Sequence, residues 1–169
     1  VLDERITGAP DAGALSAALR AEVQAEGLGV LNWGEQATAL RARLAFLHAL
    51  DPAWPDMSDA ALIQAADAWL WPLLEGARSL EAVGDGRLAD GLRGLIPWDL
   101  QRRLDELAPA RLTTPLGSAG IDYAAEGGPR VDIRVQELFG VTTHPTVGGG
   151  RVPLTLALLS PARRPVQVT

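Results

Sequence analysis

Between Arg130 and Thr169 the chain places five arginines, and after Glu137 it has no further carboxylate side chain, so its end carries only cations. Arg130 and Arg134 are four residues apart, Arg151 follows a run of three glycines, and Arg163-Arg164 stands between Pro161 and Pro165. A guanidinium presents a planar fork of N–H donors that matches two oxygens of a phosphate or carboxylate. Prolines on either side of a basic pair limit the entropy lost when it docks. Arg130, Arg134, Arg151, Arg163 and Arg164 are therefore the candidate contacts to a polyanion, although a solvated hairpin tip would give the Arg163-Arg164 turn the same composition. Flat side chains for stacking are few in this stretch of the chain. Tyr123 is the candidate, with His144 beside it and Phe139 assigned to the core. The pattern fits tracking of a backbone better than reading of bases.

The missing residue types narrow the chemistry. All fifteen basic residues are arginine and cysteine is absent. A Walker-type phosphate loop needs a lysine on the terminal phosphates, and Gly148-Gly149-Gly150 has none. That run could form an anion nest, but a flexible entry into the next strand explains it more simply. Schiff-base chemistry needs a lysine too. His48, near a helix end, and His144, in a loop, have no metal-ligand spacing around them. Asp122 and the Gln136-Glu137 pair read as turn caps or solvated groups, not as a hydrolase carboxylate pair. No catalytic, cofactor-binding or metal-binding residue is expected. No membrane-spanning run or leader peptide is expected, and a cytoplasmic location fits the absence of cysteine.

Charge is distributed unevenly along the chain. Residues 1–109 hold 17 acids against 9 arginines, net −8, whereas residues 110–169 hold 4 against 6, net +2. The apolar period changes at the same place. Up to Pro109 it is helical: Leu15, Leu19 and Val23 after a possible cap at Asp11; Ala37, Leu40, Leu44 and Leu47 after a capping-box-like Asn32-x-x-Glu35; Leu62, Ala66, Trp69, Leu70 and Leu73 after a Ser58 cap; then Leu88, Leu92 and Leu95. A last helix from Pro97 is expected to bury Trp98, Leu100, Leu104 and Leu107. All five tryptophans read as core.

Val1–Thr7 reads as an entry strand. Beyond Pro109 the period is two, giving strands at Ala110–Thr114, Ala119–Ala124, Arg130–Val135, Arg151–Leu159 and Val166–Val168, with a helical turn at Gln136–Gly140 and a hairpin turn at Glu126–Pro129. The expectation is an α+β chain: a helical bundle over 1–109 followed by a small five-stranded OB-like β-barrel over 110–169, its final strand truncated.

Several stretches are also recognisable as a group: Ala39-Leu40-Arg41-Ala42-Arg43-Leu44, Trp54-Pro55-Asp56-Met57-Ser58-Asp59, Trp69-Leu70-Trp71-Pro72, Leu104-Asp105-Glu106-Leu107-Ala108-Pro109, Val135-Gln136-Glu137-Leu138-Phe139-Gly140, and the long block from Gly150-Arg151-Val152-Pro153 to Arg163-Arg164-Pro165-Val166-Gln167-Val168-Thr169. In this order they resemble the C-terminal region of the bacterial HrpB family of ATP-dependent helicases, in the DEAH/RHA class. The resemblance implies that the chain is a fragment without the motor. ATP and magnesium would bind RecA-like domains elsewhere on the parent polypeptide, and these would be its partners together with single-stranded RNA or DNA. The role implied is to guide the strand. A docking module that pairs its arginines with an acidic protein surface is the alternative; an independent enzyme is disfavoured.

Overall fold

The structure, a computed structural model, describes residues 11–159 and the backbone of 165–168. The entry strand expected at Val1–Thr7 and the Arg163-Arg164 turn lie outside the described residues. The chain separates into two compact units, one holding residues up to Leu40 together with Met57–Leu95, the other Arg41–Asp56 together with Ile96 onward. The change of period at Pro109 divides helices from strands, but helical residues 41–56 and 96–109 belong to the compact unit that holds the strands.

In the first unit, helix α1 (Ala12–Glu26) buries Leu19 and Val23 and ends at Gly27, whose φ of 89° favours glycine. Helix α2 (Glu35–Leu50) begins without the Asn32 cap expected from sequence; Asn32 instead donates to the carbonyl of Glu81. Its cap comes from far along the chain. One Asp85 carboxylate oxygen accepts from the N–H groups of Gly34 (2.9 Å) and Ala37 (2.8 Å), and the other from Gln36 (2.9 Å). Donors that a helix start leaves without partners are thus satisfied by one carboxylate. Any side chain at Gly34 is excluded, because a Cβ there would lie 2.7 Å from Asp85 Cγ.

These N–H donors, Ala37's foremost, hold the Asp85 carboxyl below its ordinary pKa of 3.8. A lowered folded-state pKa means stability that is present above the ordinary value and lost as pH falls through the folded one. Asp85→Asn is therefore expected to melt at a lower temperature than the parent at pH 7, with the gap narrowing below pH 3.8. Thermal melts from pH 7 to 2 check this; a gap independent of pH would remove the charge from the explanation.

The single third helix expected after Ser58 is three short ones: α3 (Asp59–Gln64), α4 (Ala66–Trp69) and α5 (Trp71–Leu74). Ser58 does cap the first, its Oγ accepting from Ala61 N at 3.2 Å. The breaks at Ala65 and Leu70 shift the phase of the stripe, so Leu74 and not Leu73 is fully buried. Helix α6 (Asp85–Arg93) adds Leu88 and Leu92.

The second unit holds the rest of α2, a 3-10 turn at Gln101–Arg103, the one-turn helix α7 (Leu104–Leu107) and, among the described residues, all the strands. The long helix expected from Pro97 is not formed. Because the turn after Pro97 does not keep the helical phase, Trp98 is 86% exposed instead of core. Strands β1 (Arg111–Thr114), β2 (Gly117–Asp122), β3 (Arg130–Arg134), β6 (Thr155–Leu159) and β7 (Pro165–Val168) lie side by side in that order. β3 and β6 are parallel, Val131 opposite Leu156 and Ile133 opposite Leu158, and the other pairs are antiparallel. Between Asp122 and its strand partner Arg130, the Glu126–Pro129 turn holds Gly127 and Gly128 at φ 88° and 116°, a conformation that glycine adopts without steric cost.

The expected closed barrel is corrected. The expected strand Arg151–Leu159 breaks at Leu154, whose N–H turns to Pro145 O (3.0 Å). Its first part, β5 (Val152–Pro153), pairs with β4 (Thr146–Val147) in a separate ribbon. Among the described residues no pairing joins β1 to β7, so the sheet is open. No described helix is long and apolar enough to cross a membrane.

Candidate nucleic-acid interface

The structure distributes the candidate residues over two places in the second unit. Arg130 and Arg134 project from the outer face of β3, whose other face buries Val131 and Ile133. Alternation in a strand requires this: residues i, i+2 and i+4 share a face. The same rule puts Asp132 between the two arginines. Arg130 Nε pairs with Asp132 Oδ1 at 2.8 Å, both groups partly solvent-exposed. Such a surface pair is worth about 0–1 kcal/mol, so a phosphate could compete for Arg130. Arg134 has no ion pair among the described residues, its backbone N–H being accepted by Glu137 Oε1 at 3.3 Å.

Arg151 lies elsewhere in this unit. It follows Gly148, Gly149 and Gly150, all at positive φ (67°, 70° and 87°), and its guanidinium donates to the carbonyl of Leu50 at 3.2 Å. That carbonyl closes α2, where a cation is favoured by the helix dipole. Gly148 packs tightly, its N–H donating to Leu107 O at 2.7 Å and a Cβ on it falling 2.7 Å from Leu50 Cδ1, whereas a Cβ on Gly150 would meet nothing within 4 Å. Arg103, which the sequence reading passed over, lines the same recess as Arg151.

Tyr123 is corrected. Its ring is buried and tilted against Phe46 at 5.0 Å between centroids, and its hydroxyl donates to Pro109 O at 2.6 Å. No ring face is left for a base. Phe139, assigned to the core from sequence, is 59% exposed. His48 Nδ1 donates to Trp54 O and His144 Nε2 to Leu154 O, each at 2.8 Å, so both rings hold loops. Among the described residues no group of three or more histidine and acidic side chains is placed to hold a metal ion.

The sequence also gave no prominence to Arg43. It is buried, donating through Nε to Ala108 O (2.7 Å) and through Nη2 to the exposed Asp105 (2.6 Å). Its position, three residues after Leu40 and four before Leu47, was the available signal: it lies on the apolar stripe of α2. Together Arg43 and Tyr123 fix the consecutive carbonyls of Ala108 and Pro109, where helix gives way to strand.

Burial pushes the Tyr123 hydroxyl well above its ordinary pKa of 10.0. For a raised folded-state value the stabilisation is full below the unfolded pKa and falls away as pH rises above it. This is the only tyrosine, and neither lysine nor cysteine is present, so the alkaline range is nearly free of other side-chain titrations. Tyrosinate absorbance is therefore expected to appear only with alkaline unfolding. Tyr123→Phe should lose about 1 kcal/mol at neutral pH with its hydrogen bond, and show less further loss above pH 10. Ionisation at the ordinary pKa in the folded chain would refute the burial.

Comparison with known proteins puts the chain in the class of C-terminal regions of ATP-dependent helicases. Residues 69–169 match the family described as "ATP-dependent helicase C-terminal", and the chain belongs to that family, the HrpB C-terminal region. Over 163 residues, 95% of the chain, it is 41% identical to the ATP-dependent RNA helicase HrpB of Escherichia coli (strain K12), of which it matches 20%. It resembles the crystal structure of the E. coli DExH-box NTPase HrpB with a TM-score of 0.84 at 40% identity, covering 96% of this chain and 20% of that one. A second crystal structure, of the Escherichia coli DEAH/RHA helicase HrpB, gives 0.80 at 38% identity over 94% of this chain and 20% of the other. The chain spans about a fifth of the length of the relatives it matches.

Proposed function

We propose that this chain is the accessory C-terminal part of an ATP-dependent RNA helicase and guides single-stranded nucleic acid past a motor located elsewhere on the parent polypeptide. The observation that carries the reading is the likeness of 96% of the chain, at a TM-score of 0.84, to 20% of the E. coli DExH-box NTPase HrpB. On this reading ATP and magnesium bind the RecA-like motor, and the arginines here hold phosphates. Arg134, free of an ion pair among the described residues, is the lead contact on β3, with Arg130 beside it. Arg151, at its separate place in the unit, is a further candidate contact, and Arg163-Arg164 are candidates from the sequence alone. The chain works in the cytoplasm with its motor.

Titration of fluorescein-labelled single-stranded RNA at increasing salt tests the reading. Each phosphate contact on a single strand contributes about −0.7 to the slope of log K against log salt, so Arg134→Ala should weaken binding and flatten that slope by about this amount. Absent or salt-independent binding would overturn strand guiding and leave a protein-docking role.

A further inference from the structure

A recess of about 230 Å³ in the second unit is lined by Leu47, Leu50, Trp54, Leu107 and Gly149, with Asp51, Arg103 and Arg151 as its charged groups. We infer that this recess takes one nucleoside monophosphate unit of the strand: the base on the apolar floor, the phosphate on Arg103 and Arg151, and a ribose hydroxyl or base amine donating to Asp51. The inference rests on the strand-guiding reading and names a site for it.

Three features point to that occupant. Pockets for drug-sized ligands run from about 300 Å³ upward, so this smaller recess suits a single base, with its sugar and phosphate at the exposed charged groups Asp51, Arg103 and Arg151. Its charged groups also match the ordered chemistry of a nucleotide. Arg151 spends one contact on Leu50 O, and among the described residues Arg103 approaches only Glu106 Oε1, at 3.7 Å on the surface, so both retain donors for an anion. Asp51 accepts from Ala53 N at 3.0 Å through Oδ1, which leaves Oδ2 for a second donor. Asp51 beside the two arginines asks for a donor as well as an anion, which inorganic phosphate does not supply and which a nucleotide supplies through a ribose hydroxyl or base amine.

The third feature is the recess wall at Gly149, which has φ 70°, a conformation that L side chains rarely adopt, so a residue without a side chain lines the recess there.

Two-dimensional amide and indole NMR of the full chain with adenosine 5′-monophosphate tests the site. Resonances of Gly149, Arg151, Leu107 and the Trp54 indole should shift together with one affinity. Adenosine and ribose 5-phosphate, each lacking one half of the ligand, should bind at least about fivefold more weakly, since base stacking and charge-assisted hydrogen bonds each contribute at that level. Arg103→Ala with Arg151→Ala should weaken the mononucleotide about tenfold or more with the melting temperature nearly kept. Should Arg151→Ala unfold the chain by losing its bond to Leu50, Arg103→Ala alone decides, because its ion pair with Glu106 is exposed. A twelve-residue single-stranded RNA should move the same resonances at lower concentration, which distinguishes a strand from a free nucleotide. Equal binding of ribose 5-phosphate and the mononucleotide would reduce the recess to an anion site and overturn the proposal. A strand that binds with steep salt dependence but leaves these resonances unmoved would sink the recess while strand guiding stands; absence of any strand binding would sink both.

Discussion

Replacing Trp69 by alanine is expected to cost about 3–5 kcal/mol, the range for deleting a buried aromatic. The indole is 1% exposed, its Nε1 donates to Leu62 O at 2.9 Å, and its ring lies 6.3 Å from that of Trp33. On the other side the chain at Gly91 of α6 approaches so closely that a Cβ would fall 2.6 Å from Trp69 O and 3.3 Å from its Cε3. Alanine at 69 leaves a cavity where α4 and α6 meet and an acceptor without its donor. Trp69→Phe separates the two effects: it keeps most of the ring and loses the bond, for about 1–3 kcal/mol. Trp98→Ala is the control. At 86% exposure it should change stability by less than about 0.5 kcal/mol, as surface replacements do. Urea unfolding of the three variants checks the ranking, and a Trp69→Ala cost no larger than that of Trp98→Ala would overturn the packing described for the first unit.

Those two tryptophans show what was legible in the sequence. Trp69 shares a stripe with Leu62 and Ala66, and any helical reading buries it. Trp98 sits one residue after Pro97, where the expected phase depended on a helix continuing through residues that adopt turn and 3-10 geometry instead. Periodicity locates apolar faces reliably only while the element is unbroken. The same limit explains the split third helix and the interrupted strand at Leu154. The Asp85 cap was not legible at all, because the partner of Gly34 is 51 residues away and a local capping box at Asn32 and Glu35 offered itself. The order of strands was legible up to β3. Closure was not, since the hydrogen bonds that Leu154 and its neighbours make are decided by tertiary position.

Of the candidate interface, the sequence located the cations but not their company. Asp132 between Arg130 and Arg134 was visible, and strand alternation alone put it on their face. Arg103 was masked by lying in the acidic stretch, where net charge directed attention away from it. Tyr123 was chosen as a flat side chain in the basic stretch; its burial follows from Phe46 and Pro109, neither of which is near it in sequence.

Arg43→Ala is expected to cost about 2–4 kcal/mol, mainly through the backbone it leaves unsatisfied. Ala108 is fully buried, and the 2.7 Å bond from Arg43 Nε is the contact that keeps its carbonyl paired. The ion pair contributes little: Asp105 is 87% exposed, so it returns to water when Arg43 is removed. Asp105→Ala should accordingly cost less than about 1 kcal/mol, the range for exposed pairs, although its distance to Arg43 is the shorter of the two. Arg43→Met keeps an unbranched apolar stem at this buried position and removes only the donors; its cost should fall between those two. Because Tyr123 holds the adjoining Pro109 carbonyl, Arg43→Ala combined with Tyr123→Phe should lose more or less than the sum of the single costs, as contacts sharing one backbone segment do. Additivity within about 0.5 kcal/mol would mean that the two side chains do not act on one segment. A larger loss from Asp105→Ala than from Arg43→Ala would place the stability in the ion pair and contradict the burial argument.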